Sequence, residues 1–196
     1  MRFFPEEYIV IEIELKFRCS AWAELQSRLT SYQPTTTDRV KEIDHYFNAP
    51  DRDFKRTDEV VRLRKSGTVH SLTYKGPKLP GAVKSRLEVE LPLQSSPMIS
   101  ADAVHFLTGL GFRPVAVVTK VRQTSSFERN GFQVHVCFDD VGAIGKFIEL
   151  EIVTEPENGE AARVELTALA AELELTAVEQ RSYLRLLMET SQAKPA

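Results

Sequence analysis

A two-residue alternation of charged and aliphatic side chains constrains this chain most strongly. In the segment Ile11-Glu12-Ile13-Glu14-Leu15-Lys16, the charges fall on one face of an extended strand and the aliphatic side chains on the other. Period-two patterns return at 43–47, 60–64, 71–75, 86–91, 117–121, 125–129, 132–139 and 147–152. Turns such as Asn130-Gly131 join neighbouring segments as hairpins. We therefore expect about eight antiparallel strands.

The polar positions of these strands are almost purely charged. They are the seven bases Lys16, Arg62, Arg64, Lys75, Arg86, Lys120 and Arg122, and the seven acids Glu12, Glu14, Glu88, Glu90, Asp139, Glu149 and Glu151. One explanation is an antiparallel sheet with one solvated face. Alternatively, a sheet of so many strands curls and closes. We favour an α+β fold, a closed eight-stranded antiparallel β-barrel with a charged lumen and amphipathic helices packed outside.

Helical spacing of apolar residues predicts the covering helices. The first follows Ser20, and a second runs from Ser100 to Gly111 with Val104, Leu107 and Leu110 buried and Phe106 as a core candidate. Two more are expected at about 159–174 and 177–189. No linker divides the chain, so we expect one domain over residues 1–190 and a disordered tail at 191–196.

Composition narrows the class of protein. The net charge is −3, so no overall basic field exists to hold nucleic acid. No apolar run approaches the roughly 18 residues of a membrane helix. Cys19 and Cys137 are the only cysteines, which suits a reducing compartment. We expect a cytoplasmic protein that binds neither nucleic acid nor membrane.

A lumen lined by both signs of charge suits a phosphate ligand bound through metal. Arginine and lysine bind phosphate oxygens. Glutamates would repel phosphate unless a divalent cation lay between them, and carboxylate-rich sites that retain water suit Mg²⁺ or Mn²⁺.

The ordered segments resemble a known family. Glu12-Ile13-Glu14-Leu15-Lys16 is similar to the ExExK signature of the CYTH superfamily, the triphosphate tunnel metalloenzymes. Further similar blocks are 44–47, 51–54, 62–64, 72–78, 86–90, 120–122, 139–141, 145–151 and Ser182-Tyr183, whose tyrosine is expected to pack on the barrel. Together they span roughly residues 9 to 187, in the family's order.

The resemblance implies a barrel that forms a tunnel, often in a homodimer, and binds triphosphates with divalent metal. It assigns metal binding to Glu12, Glu14, Glu149 and Glu151, with Asp139 and Glu90 nearby. It assigns phosphate binding to Lys16, Arg62, Arg64, Lys75, Arg86, Lys120 and Arg122, of which Lys16, Lys75 and Arg62 are the catalytic candidates. Asp139 is preferred to Asp140 because it shares a face with Gln133, His135 and Cys137, although Gly142 and Gly145 could shift that register.

Within the family, the blocks at 44–54 and 72–78 are most similar to the CyaB-type class IV adenylate cyclases. That resemblance implies conversion of ATP to 3′,5′-cyclic AMP and pyrophosphate, with metal lowering the pKa of the ribose 3′-hydroxyl. A triphosphatase acting on tripolyphosphate, thiamine triphosphate or nucleoside triphosphates is the alternative, with Lys16, Lys75 or Tyr46 orienting or deprotonating water. A non-catalytic binder of polyphosphate or nucleotide is a third reading, which the many carboxylates disfavour.

Overall fold

Nine β-strands form one antiparallel sheet in the computed structural model, which describes residues 10–78, 84–94 and 98–192. The strands are β1 (Val10–Arg18), β2 (Thr35–Thr36), β3 (Val40–Asn48), β4 (Val60–Ser66), β5 (Val69–Lys75), β6 (Lys84–Leu93), β7 (Arg113–Arg129), β8 (Phe132–Asp140) and β9 (Lys146–Thr154). The helices are α1 (Trp22–Leu29), α2 (Phe54–Thr57), α3 (Ile99–Gly109), α4 (Gly159–Glu172) and α5 (Tyr183–Gln192).

Eight of the strands close into a barrel. Around it they follow the order β7, β3, β4, β5, β6, β1, β9 and β8, and β8 pairs with β7 to complete the circle. The short strand β2 pairs with the far part of β7, where Thr35 lies opposite Ser126. The closed eight-stranded barrel that the charge alternation predicted is therefore confirmed.

The largest apolar core lies outside the barrel wall. Ile11, Ile13 and Leu15 of β1 point away from the lumen and join one buried cluster with residues of α1 and α4, such as Leu25 and Leu166. A second cluster packs Leu107 of α3 and residues of β3 and β4 together. The helices thus cover the aliphatic outer face, and the charged face is left for the interior. Across the described residues, no helix is long and apolar enough to cross a membrane.

Two boundaries differ from the sequence prediction. The segments predicted as separate strands at 117–121 and 125–129 are one strand of 17 residues, β7, which pairs with β3 along its first part and with β8 along its second. The predicted helix at 177–189 begins only at Tyr183. The preceding segment is held in an extended form, because Val178 pairs with Phe17 and the backbone N–H of Glu179 donates to the carbonyl of Lys16 at 2.7 Å.

The prediction of the buried face of α3 was partly wrong. Leu107 is buried, with Ala103 and Val104 packed beside it, but Phe106 and Leu110 are 65% and 56% exposed. Phe106 is turned about 100° around the helix from Leu107, and Leu110 lies beyond the last helical residue, Gly109. At the C-terminus, α5 includes residues 191 and 192, and the remainder of the predicted tail, 193–196, lies outside the described residues.

Packing of α4 on the barrel should account for much of the stability of that side. We expect Leu166→Ala to lower the free energy of unfolding by about 2–5 kcal/mol, because it removes a fully buried side chain and leaves a cavity. Val164→Ala, on the exposed side of the same helix, should change it by at most about 0.5 kcal/mol. Urea denaturation measures both, and equal effects would contradict this packing.

Candidate functional site

The charged face of the strands encloses a cavity of about 240 Å³. Among the described residues, its lining contains the eight bases Lys16, Arg62, Arg64, Lys75, Lys78, Arg86, Lys120 and Arg122, and the seven acids Glu12, Glu14, Asp44, Glu88, Glu90, Glu149 and Glu151. Tyr46, Val60 and residues 182–184 complete it. Such a dense mixture of charges is costly to bury unless the charges pair with one another or with a ligand.

Strand register pairs most of these charges. Bases lie directly opposite acids in the pairs Lys16–Glu149, Lys120–Glu42, Arg64–Asp44, Lys75–Glu88, Arg122–Asp139 and Arg86–Glu12. The first five are also ion pairs, with N–O distances of 2.8, 3.4, 2.7, 2.7 and 2.6 Å in that order. Register across neighbouring strands therefore produces the charge pairing of the interior.

The innermost pairs are charge-assisted hydrogen bonds. The guanidinium of Arg122 donates to both carboxylate oxygens of Asp139, at 2.7 and 2.6 Å, and Lys120 donates to the same carboxylate at 2.9 Å. Burial would raise the pKa of Asp139, but Arg122 and Lys120 hold it below its usual value. Burial would likewise lower the pKa of Lys16, but Glu14 and Glu149 raise it well above the ordinary lysine value. Asp139 and Lys16 are therefore ionised at neutral pH.

Tyr183 is a buried residue of the cavity lining. Its hydroxyl donates to Asp139 at 2.9 Å, and its ring packs edge-on against Phe147 with 5.1 Å between the centroids. The ammonium groups of Lys16 and Lys120 lie 4.2 and 5.2 Å from the centroid of the ring. The expected packing of this tyrosine on the barrel is therefore accompanied by direct contact with the charged residues. Lys78 and Glu90 also line the cavity but are more exposed, at 36% and 50% of their side chains.

A patch of four carboxylates lies on β1 and β9. Glu14 and Glu151 are direct cross-strand partners, and both line the cavity with Glu12 and Glu149. Burial, together with the negative charges of Glu149, Glu12 and Glu14, raises the pKa of Glu151 to about 8. Burial also acts on Glu12, but Lys75 lowers its pKa to about 2. Nearby bases thus outweigh burial and repulsion at Glu12 and at Glu149, whose pKa is also lowered, whereas at Glu151 they do not.

This patch fits a hard divalent cation by its chemistry. Carboxylate oxygens are the donors that Mg²⁺ and Mn²⁺ prefer, and an added cation would relieve the repulsion that raises the pKa of Glu151. The carboxylates are engaged with bases, and in the described part of the chain no three acidic, histidine or cysteine side chains are arranged as a ready metal site. A cation would therefore compete with the bases for the same oxygens.

Arg62 differs from the other strand-borne bases of the described cavity. Its cross-strand neighbours are Tyr46 and Thr73, neither of them an acid. Its nearest carboxylates, on Asp44, Glu90 and Glu88, lie 3.8, 3.9 and 4.0 Å away. Its side chain is 10% exposed, and its buried Nε has no hydrogen-bond partner in the part of the chain that the structure describes. The hydrogen-bonding capacity of this guanidinium is thus largely unused and available to an anion.

Lys75 lies between the carboxylates of Glu12 and Glu88 and forms an ion pair with each. Burial and the charge of Glu12 raise the pKa of Glu88 to about 7. Burial would lower the pKa of Lys75, but Glu12 and Glu88 raise it. Lys75 thus remains a cation between two carboxyl groups.

The structure brings the sequence-predicted site residues together. Twelve of them line the cavity, namely Glu12, Glu14, Lys16, Arg62, Arg64, Lys75, Arg86, Glu90, Lys120, Arg122, Glu149 and Glu151. Asp139 is fully buried behind Lys120 and Arg122, whereas Asp140 accepts a bond from the backbone N–H of Gly142. Asp139 is therefore the aspartate that faces the charged interior, as preferred from the sequence.

Sequence reasoning missed the acids of β3. Glu42 and Asp44 are buried and hold Lys120 and Arg64. The signal was present, because Glu42, Asp44 and Tyr46 alternate with Ile43 and His45 in the same period of two. Glu42 was overlooked because the strand was predicted to begin at residue 43, whereas Asp44 lay within the predicted strand and was given no role in the site. Lys78 was quoted in a similar block without a role, and it lines the cavity from a loop, where Asp58 holds its ammonium at 3.0 Å.

The buried ion pairs of Asp139 allow a prediction of the free energy of unfolding. We expect Asp139→Ala to lower the free energy of unfolding by about 3–5 kcal/mol, because Lys120 and Arg122 would lose the carboxylate that compensates them. The neighbouring Asp140→Ala loses one hydrogen bond and should cost about 1 kcal/mol. Chemical denaturation of both variants would contradict the assignment if Asp140→Ala proved the more damaging.

Comparison with known proteins agrees with this geometry. The family model described as the CYTH domain matches residues 10–183. A protein of Methanocaldococcus jannaschii named "Putative adenylate cyclase" is 30% identical over 142 residues, which cover 72% of this chain and 77% of the relative.

Two solved structures show the same architecture. One, of a Pyrococcus horikoshii protein, is 33% identical with a TM-score of 0.77, over 91% of this chain and 99% of the other. The second is a Hippeastrum protein whose structure is described by an adenylyl cyclase name and a dominant triphosphatase activity; it is 16% identical with a TM-score of 0.66, over 92% and 96% of the two chains. At that identity it shows the fold alone. With the family model matching residues 10–183, the chain belongs to the CYTH domain family.

Proposed function

We propose that this chain is a metal-dependent enzyme that acts on a triphosphate, and that its reaction is the conversion of ATP to 3′,5′-cyclic AMP and pyrophosphate. The observation that carries the proposal is one cavity that combines the carboxylate patch of β1 and β9 with eight bases. A triphosphate with a bound cation presents both the negative and the positive charge that such a lining requires. The name of the Methanocaldococcus jannaschii relative supports the choice of a cyclase.

The bases would bind the phosphate chain as fixed cations. Since the pKa of Lys16 and that of Lys75 are raised, both lysines would orient and neutralise phosphate oxygens without taking up a proton. Arg62 would contribute its planar fork, which matches two oxygens of one phosphate. Because Lys16 and Lys120 are buried and Lys78 is partly exposed, the terminal phosphates would lie near Lys16 and Lys120, and the nucleoside nearer Lys78.

The carboxylates Glu12, Glu14, Glu149 and Glu151 would hold the Mg²⁺ or Mn²⁺. When bound, such an ion neutralises phosphate charge and lowers the pKa of a hydroxyl that it contacts. In the cyclase reaction the ribose 3′-oxygen bonds to the α-phosphorus and pyrophosphate leaves. Arg62, Lys16 and Lys120 would stabilise the negative charge that develops on the departing pyrophosphate, and their fixed positions lower the cost of reorganisation.

A triphosphatase that uses water as the nucleophile is the second candidate. The size of the cavity favours it, because about 240 Å³ is below the roughly 300–1,000 Å³ of pockets that enclose drug-sized ligands. A triphosphate chain would occupy such a cavity by itself, whereas a nucleoside would extend beyond it. The activity in the description of the Hippeastrum structure is of this kind. A non-catalytic binder of polyanions would gain nothing from four carboxylates in its site.

Product analysis separates the two reactions. We expect the purified protein with Mn²⁺ or Mg²⁺ to convert ATP to cyclic AMP and pyrophosphate, measured by chromatography. Release of orthophosphate from ATP, tripolyphosphate or thiamine triphosphate without any cyclic AMP would contradict the cyclase and support the triphosphatase. Binding of these compounds without metal and without turnover would contradict both.

Variants test whether the cavity is the active site. Glu12→Ala should reduce turnover about a hundredfold or more, since it removes a metal carboxylate, and Arg62→Ala should do so because it removes a donor to developing charge. Lys65→Ala is the matched control, because Lys65 lies on β4 near Arg62 but is exposed on the other face. It should retain wild-type activity. Full activity of both cavity variants, with folding verified by circular dichroism, would exclude this cavity as the site.

A further inference from the structure

Three side chains form a row across neighbouring strands of the cavity wall. Arg62 on β4 lies directly opposite Thr73 on β5, and Thr73 lies directly opposite Glu90 on β6. The hydroxyl of Thr73 accepts a hydrogen bond from Nη2 of Arg62 at 3.2 Å and donates one to Oε2 of Glu90 at 3.1 Å. Thr73 is 1% exposed, so water does not compete for these bonds.

This row differs from the five cross-strand ion pairs described above. Where a base lies directly opposite an acid, as in Arg64–Asp44, the guanidinium binds the carboxylate through two bonds of 2.7 Å. In the row of Thr73, the base and the acid are separated by a threonine, and Nη2 of Arg62 stays 3.9 Å from Glu90. The hydroxyl bonds to both groups, so the guanidinium and the carboxylate make no direct hydrogen bond to each other.

We propose that Thr73 is a positioning residue that keeps Arg62 available to the substrate by holding it apart from Glu90. The proposal rests on the proposed function, because the ligand of Arg62 is the phosphate chain of a triphosphate. Without the hydroxyl, Arg62 would turn towards Glu90 and form the bidentate pair that Arg64 forms with Asp44. A phosphate would then have to break that pair before it could bind.

The test compares variants that keep or remove the hydroxyl. Thr73→Val removes it with little change of shape, and we expect it to weaken the binding of tripolyphosphate with Mg²⁺ about tenfold, because an ordered bond to a charged group is lost. Thr73→Ser keeps the hydroxyl and should bind within about twofold of wild type. Isothermal titration calorimetry measures these affinities. In turnover assays the loss should appear in KM more than in kcat. Should Thr73→Val fail to fold, Thr73→Ala removes the same hydroxyl and carries the same expectation.

A double variant separates positioning from a merely structural role. Adding Glu90→Gln to Thr73→Val removes the charge to which Arg62 would turn, so at least half of the lost binding free energy should return. A structural defect would not be repaired in this way. Failure of Glu90→Gln to restore affinity, or wild-type affinity in Thr73→Val, would overturn the proposal while leaving the proposed function intact. Absence of tripolyphosphate binding by the wild-type protein would overturn both.

Discussion

The register of oppositely charged side chains across neighbouring strands is the constraint on which this barrel depends. Many charged side chains of the barrel interior are buried, such as Lys16, Lys120 and Glu149, so their charges must find a partner there or be neutralised by a ligand. Pairs such as Lys16–Glu149 and Arg122–Asp139 meet this requirement because their strands align them directly. A shift of one residue on β9 would turn Glu149 outward and place Ile148 or Leu150 inside. Register and charge sequence must therefore agree on every strand.

At two positions a charged side chain does not lie opposite a side chain of the opposite charge, and we propose that these positions form the ligand site. Glu14 and Glu151 lie opposite each other, and a bound cation would reduce the repulsion between these two carboxyl groups. Arg62 lies opposite Tyr46 and Thr73, neither of them an acid, so a bound anion would compensate its charge. A triphosphate with a bound divalent cation would bring the cation to the carboxylates and the anion to Arg62. The other charges are held by their partners, so a metal-bound triphosphate would exchange partners with bases and carboxylates that already lie in the cavity.

The sequence predicts those features that depend on local alternation. From the period of two, the charged side chains of most strands were predicted to share one face and the aliphatic side chains the other, which led to the prediction of a charged barrel interior. The alternation does not determine the register between strands. That register places Arg62 opposite Thr73 and Glu14 opposite Glu151. The late start of α5 at Tyr183 also escaped prediction, because it depends on contacts of the preceding segment with β1. Exposure of Phe106 follows from how α3 lies on the barrel, which helical spacing alone does not determine.

The most direct test of this account is the binding of tripolyphosphate to the wild-type protein with and without a divalent cation, by isothermal titration calorimetry. The account predicts saturable binding at one site in Mg²⁺ or Mn²⁺, and binding weaker by at least about tenfold when the cation is chelated, because the carboxylate patch would then repel the phosphates. Equal affinity with and without the cation would contradict the central claim that the carboxylates and bases of the cavity act on one metal-bound triphosphate.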